Sequence, residues 1–290
     1  MQQIFGIFVV LACVLGGFMF MGGDFSMLWQ PTELVIIVGA AVGAMVVGNP
    51  RHVLVELGSQ IRKVMTSGKA KTHKEFQRQL LLLMYELLQV GRDLKALDVH
   101  VEAPHESELF QRYPLVVASP RLLAFIVDNF RLMAMGRISA HELEGVLEQE
   151  LESIHDDLEQ PSKSLRKISD AMPGFGIVVA VLGVVIAMSI VSDGATAGEI
   201  AERVAAAMVG TFLGIFFCYG VLDPLSNVIK QVVKTEISEL ECVKVVLVSF
   251  AGGKPPLLAI DSGRRLVQLV SKPSFAQLES WINELDGARP

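Results

Sequence analysis

Residues 171–192 read AMPGFGIVVAVLGVVIAMSIVS and residues 204–222 read VAAAMVGTFLGIFFCYGVL. These are two membrane-length apolar stretches without an ionisable side chain, joined by a short turn holding Asp193, Glu199, Glu202 and Arg203. Lipid offers no partner for a backbone N–H or C=O, so each stretch is predicted to be a helix that satisfies its own backbone. Small residues recur at helical spacing on both: Gly176, Ala180, Gly183 and Ala187 on the first, Ala207, Thr211, Gly214 and Cys218 on the second. Such rows let helices approach closely in a bilayer. Pro173 and Pro224 fall at the same end of the hairpin, where missing backbone hydrogen bonds can form a hinge or a mouth. Taken residue by residue, two plainer readings stay open. Pro173 can simply start a helix, where proline costs little, and Thr211 can bond its own i−4 carbonyl.

Around this hairpin the 290-residue chain, 51% hydrophobic and 19% charged, has room for a membrane module and a soluble one. Residues 1–50 contain no Lys or Arg, unlike the charged start of a secretory signal, so Ile4 to Met21 reads as a retained span. Glu33 to Val47 reads as a second, shorter one, flanked by Trp29 and Asn49 at the interfaces. The expectation is therefore an all-α integral membrane protein with four spans. Arg51, Arg62 and Lys63 follow span two, Lys163, Arg166 and Lys167 precede span three, and Lys230 and Lys234 follow span four. Basic residues mark the cytoplasmic side. The connectors 22–33 and 193–203 are acidic and fall outside, which puts both termini in the cytoplasm. The net charge of −6 is split between compartments and says little about partners.

The soluble residues read as helical. Phe76, Leu80, Leu83, Leu87 and Val90 predict an amphipathic helix over Lys74 to Val90 with one packed face, ended by Gly91. Ser119 and Pro120 predict a capped start for a helix that turns Leu123, Ile126, Val127 and Phe130 inward. Ser139 with Glu142 forms a capping box, and Leu143, Leu147, Leu151, Ile154 and Leu158 make the inner face of the helix that follows. Its outer face is acidic, and is read first as solvated surface. After span four a helix runs over Leu225 to Phe250, and Gly252, Gly253, Pro255 and Pro256 precede a short tail. The expected domains are 1–50 (spans one and two), 51–170 (a cytoplasmic helical domain), 171–224 (the hairpin) and 225–290 (a cytoplasmic helix and tail).

Several chemistries lack their parts. There is no phosphate-binding loop, dinucleotide fingerprint or nucleophile elbow, so the chain reads as no enzyme. Cys13, Cys218 and Cys242 are scattered, and the six histidines form no ligand pair, so no metal or other cofactor is expected. An ion gradient is the natural energy source, yet moving a proton through lipid requires an intramembrane acid or histidine. The spans as read contain none, so a partner helix would supply the acid and this chain the wall. Gly39 and Gly43 form a GxxxG on span two, read as packing.

At these residues the chain resembles the MotA family of flagellar motor stator subunits. The resemblance lies in Pro173-Gly174-Phe175-Gly176-Ile177-Val178, Met208 through Ile215, Tyr219-Gly220 and Asp223-Pro224-Leu225. It continues in Pro104 through Phe110 with Tyr113-Pro114, in Phe125-Ile126-Val127-Asp128, and in Pro273-Ser274-Phe275 with Leu278-Glu279. It implies five copies of the chain around a MotB dimer in the inner membrane. The partner's transmembrane aspartate would carry the ion, and charges on the cytoplasmic domain would push the rotor's switch protein, FliG. Carried over by position, Thr211, Ala180, Gly176, Gly183, Ala207, Gly214 and Tyr219 would line the path, with Tyr219 also readable as an interfacial anchor. Pro173 and Pro224 would couple it to the cytoplasmic domain. Asp98 would meet the rotor. The family's arginine eight positions earlier is Val90 here, with Arg92 and Lys95 nearby as substitutes. Sodium-type relatives carry a threonine where this chain has Ala180. A methyl group gives sodium no ligand, so protons are the expected coupling ion, with no nucleic acid partner. Two other functions compete. One is an energiser subunit of the ExbB/TolQ kind, which is expected to show three spans. The other is a non-conducting membrane scaffold.

Overall fold

The computed structural model describes residues 2–66, 70–91, 93–136, 138–191 and 194–287, which are helical with no strand among them. In order the helices are α1 (Gln2–Phe20), α2 (Phe25–Leu28), α3 (Pro31–Gly48), α4 (Arg51–Thr66), α5 (Ala70–Val90), α6 (Leu94–Glu102), α7 (Glu108–Gln111) and α8 (Pro114–Val117). They continue as α9 (Pro120–Ala134), α10 (Ala140–Val191), α11 (Ala197–Phe217), α12 (Asp223–Ala251), α13 (Pro256–Arg264) and α14 (Phe275–Gly287), with a π-helical turn (Cys218–Leu222) between α11 and α12. Ser192 and Asp193 of the hairpin turn lie outside the described residues. Among the described residues three helical stretches are long and apolar enough to cross a membrane: Phe25–Gly48, and those within Ala140–Val191 and Ala197–Ala251. Phe5–Phe20 is a shorter apolar helix. The residues form two compact units, one of 1–68 with 157–232 and the other of 69–156 with 233–290.

The first unit is built on the hairpin. Ile37 and Ala41 of α3 are buried with Met172 and Val179 of α10 and Cys218. Leu57 and Val64 of the amphipathic α4 close against Leu165 and Ile229. Asn49, at the end of α3, donates to the Met45 carbonyl at 2.8 Å and accepts from Ser164 of α10, so the end of this span is fastened by an amide. Gly39 and Gly43 have open space beside them, so the GxxxG of α3 packs against nothing among the described residues.

The second unit is centred on α5. The sequence predicts one packed face for this helix, but every residue from Leu80 to Leu88 is buried. The remaining faces are covered by α6, α7, α8, α13 and α14. Helices α13 and α14, which come last in the chain, thus supply part of the cover, and Ala259, Ile260, Leu278 and Ile282 are core residues. Glu86 is fully buried on α5, where Tyr113 Oη donates to it at 3.0 Å and Arg112 pairs with it at 2.9 Å. Those partners give the Tyr113-Pro114 signature a physical reason, because a buried carboxylate is tolerable only when charged and neutral donors surround it.

Other expectations are met in detail. Val90 ends α5 before Gly91, and Pro120 opens α9, whose Leu123, Ile126, Val127 and Phe130 are buried. The Ser139 hydroxyl accepts from the Glu142 N–H at 3.2 Å while the Glu142 carboxylate accepts from the Ser139 N–H at 2.9 Å. That capping box does not start a separate cytoplasmic helix, however. α10 runs unbroken for 52 residues through the first apolar stretch of the hairpin, with Pro161 and Pro173 inside it. No glycine interrupts it between Glu148 and Met172, and packing supports the turns the prolines weaken.

Asp261 of α13 holds this end of the second unit together, 2.6 Å from Arg264 and 3.0 Å from Arg265. Burial alone would raise its carboxyl, but the two guanidinium groups outweigh it and hold it below the usual carboxylate range. A folded-state pKa below the unfolded one gives stability that is present above the unfolded value and lost as pH falls through the folded value. Asp261→Asn is expected to cost about 3 kcal/mol at neutral pH, since it leaves a guanidinium buried without its carboxylate. It should also remove part of the acid sensitivity of unfolding. Thermal melts of the two proteins in detergent from about pH 7 down to about pH 3 check this, and parallel curves would refute it.

Candidate functional site

The two small-residue rows meet each other. A methyl group on Gly176 would lie 2.7 Å from the Gly210 carbonyl oxygen and 3.1 Å from Thr211 Cα. One on Gly214 would lie 2.6 Å from the Met172 carbonyl and 3.0 Å from Gly176 Cα, and one on Gly183 would overlap the Ala207 methyl. Gly176, Ala187, Ala207, Gly214 and Cys218 are all buried. The structure therefore brings Gly176, Gly183, Ala207, Thr211 and Gly214 together as the seam between α10 and α11, where backbone meets backbone. The closeness that sequence reasoning reserved for a partner helix is used first to close the hairpin. Thr211 gives its backbone to this seam and Ala180 sits beside it; both are half-exposed, so both side chains retain a free side.

Tyr219 is set apart from the seam. It follows Cys218, which is on the seam, and one residue turns a helix by about 100°. Its ring is exposed in a groove lined by Val10 and Val14 of α1 and by Phe212 and Phe216.

Pro173 stands 33 residues into α10, so the reading in which it opens a helix is corrected. Pro224 lies in the first turn of α12 and is preceded by the π turn. Proline lacks an N–H, and its ring crowds the carbonyl four residues back, so a continuous α-helix would be strained through Gly220. Widening the turn by one residue relieves this, and the Asp223 N–H then reaches the Cys218 carbonyl. Three polar links tie α10 to this region. Ser226 Oγ donates to the Ser162 carbonyl at 3.0 Å, Arg166 pairs with Asp223 at 2.8 Å, and Ser169 Oγ donates to the Cys218 carbonyl at 3.1 Å.

One acid was missed by the sequence reading, which left the spans without any. Glu33 lies in the first turn of α3 and within the span-length stretch Phe25–Gly48, and α3 packs on α11. Its Oε2 is buried without a hydrogen-bond partner, and a methyl group on Gly210 would lie 3.1 Å from it. Gly210 is six residues inside the apolar stretch that starts at Val204, a depth of about 9 Å at ~1.5 Å per residue. The signal was available: Phe25, Met27, Leu28 and Trp29 precede Glu33, so it is flanked by apolar sequence on both sides.

Among the residues expected to meet the rotor, Asp98 is exposed on α6 and Val90 is half-buried at the end of α5. Arg92 lies outside the described residues. Lys95 belongs to α6. Among the described residues no group of three His, Cys, Asp or Glu side chains could hold a metal ion.

Residues 4–94 match the family model described as motility protein A N-terminal, and residues 121–242 match the MotA/TolQ/ExbB proton channel family. The chain is 48% identical to the chemotaxis protein LafT of Vibrio parahaemolyticus, over 99% of this chain and all of that one. It is 37% identical to motility protein A of Escherichia coli, over 97% of this chain and 95% of that one. The fold matches that of the flagellar MotAB stator complex from Bacillus subtilis with a TM-score of 0.69, at 22% identity, over 99% of this chain and 98% of that one. It also matches C. jejuni MotAB with a TM-score of 0.71, at 15% identity, over 92% and 96%. A helical hairpin sealed on glycine, in a chain matching these models, defines a membrane subunit of the proton-channel class. Within that class the chain belongs to the motility protein A family, the MotA stator subunits of the flagellar motor.

Proposed function

We propose that this chain is the MotA-type wall of a proton-driven stator. It crosses the inner membrane four times, with α1 as the first span and both termini in the cytoplasm. Five copies enclose a MotB dimer that brings the transmembrane aspartate. Ion passage turns the ring, and Asp98, with Arg92 and Lys95 as its basic counterpart, pushes on FliG. The observation that carries this reading is the α10–α11 seam. It closes the hairpin on backbone contacts and leaves Thr211 and Ala180 half-open beside it, with no acid on either helix between residues 171–191 and 204–222. Such a wall conducts only when a titrating group is placed against it. Glu33 adds a carboxylate of the chain's own on the outer approach to Thr211. Ala180 offers an ion no oxygen, which supports protons over sodium.

The test is proton uptake by vesicles from cells expressing this chain alone, the MotB partner alone, or both. Uptake that requires both chains is expected. Uptake with this chain alone, or none with both, would overturn the proposal. Thr211→Val replaces the hydroxyl by a methyl of equal shape and is expected to lower swimming speed about tenfold while leaving the complex intact, as removal of one polar group of ~1.4 kcal/mol worth from a path would. Unchanged speed at every load would remove Thr211 from the path.

A further inference from the structure

Two consequences of proline converge on one buried serine. Pro173 has no N–H, so the carbonyl four residues earlier, that of Ser169, loses its helical donor. Pro224 forces the π turn, which begins at Cys218. The Ser169 hydroxyl joins these two places: it donates to the Cys218 carbonyl at 3.1 Å, both residues being closed to solvent at 0% and 1% exposure. That carbonyl is the one that accepts the Asp223 N–H across the widened turn. A single side chain therefore ties the weakened stretch of α10 to the head of the weakened stretch before α12. The other two links lie at helical steps on the same face of α10: Arg166 with Asp223, and Ser162 with Ser226. Arg166 is half-exposed and can exchange its partner for water, so its pair is the weaker constraint. Ser169 has no water to turn to.

We infer that Ser169 is a positioning residue: its bond to the Cys218 carbonyl makes the two proline-bearing helices move as one body, so that a displacement of one during ion passage is delivered by both. This deepens the proposed ion-driven reading and rests on it. If the two helices are joined here, breaking the joint spares conduction, whose path lies toward Thr211, and loses work, which needs both helices. A residue that merely filled space would affect both in proportion.

The experiment uses the full chain with its MotB partner, comparing wild type, Ser169→Ala and Ser169→Thr. It measures the amount of complex in the membrane, proton uptake by vesicles and rotation of tethered cells at high load. For Ser169→Ala the expected result is normal complex, uptake within twofold of wild type and high-load torque cut to less than half, with Ser169→Thr recovering most of it because the hydroxyl is retained. Torque unchanged in Ser169→Ala, or torque and uptake falling in equal proportion, would overturn the inference. If Ser169→Ala is lost from the membrane while Ser169→Thr is retained there, the hydroxyl serves folding and the inference is again overturned. A wild-type complex that takes up no protons would overturn the ion-driven reading itself, before any variant is compared.

Discussion

Valine in place of Gly214 is expected to abolish motility, with the chain still made but no longer recovered in complex with its partner. The new Cβ would stand 2.6 Å from the Met172 carbonyl oxygen and 3.0 Å from Gly176 Cα, both main-chain atoms of α10. Carbon and oxygen rest at roughly 3.3 Å or more. A flexible neighbour could swing away, but a helix backbone cannot, so α10 and α11 must part along their length. Overpacking of an ordinary core costs about 1–3 kcal/mol, and a seam held only by close approach, with no hydrophobic drive to reseal it in lipid, has little to set against that. Gly174 is the control. A methyl group there meets nothing within 4 Å, so Gly174→Ala should swim normally. Co-purification with the partner and swimming in soft agar decide it; a motile Gly214→Val strain would mean that the hairpin does not close as described.

The second large effect is expected at Glu33. Glu33→Gln keeps the size and the hydrogen-bonding atoms and removes the titratable proton. If this carboxylate holds a proton on the outer approach, uptake and speed should fall by about tenfold or more, because an acid inside the apolar zone is retained only for function. The dependence of speed on external pH should flatten as well. Glu33→Asp should retain part of both. The amount of complex should not change, since the amide matches the carboxylate in size and shape. A Glu33→Gln strain that swims at full speed across the pH range would strike Glu33 from the path.

The parts legible in sequence were those fixed by neighbours along the chain. Ser139 with Glu142, Pro120, Gly91 and the four-residue rhythm of Leu143, Leu147 and Leu151 each specify their own turn of helix, and the structure follows them. The small-residue rows were legible as rows, but a row does not say what it faces; only the hairpin's return shows that Gly176 and Gly214 face each other. α5 misled because a helix covered on all sides was scored by its strongest face. Its polar residues, Gln77 and Glu86 among them, look solvated until Glu239, Arg112 and Tyr113 arrive from far along the chain. The π turn was not read: Pro224 marks strain in the turn before it, but proline alone does not say whether the helix breaks, kinks or widens there. Glu33 was lost to a boundary, because a span drawn to begin at an acid places that acid outside.

The cover of α5 has a consequence for the order in which the molecule is made. Residues 70–90 leave the ribosome early, the hairpin follows, and α13 and α14, which complete the cover, come last. At ~5–20 residues per second the leucine-rich helix waits for roughly ten to forty seconds with part of its surface bare. The second unit can therefore finish only after both helices of the hairpin have been synthesised. A chain stalled part-way displays its least soluble helix to chaperones and proteases, so completion of the second unit certifies that the helical hairpin of the first has already been made.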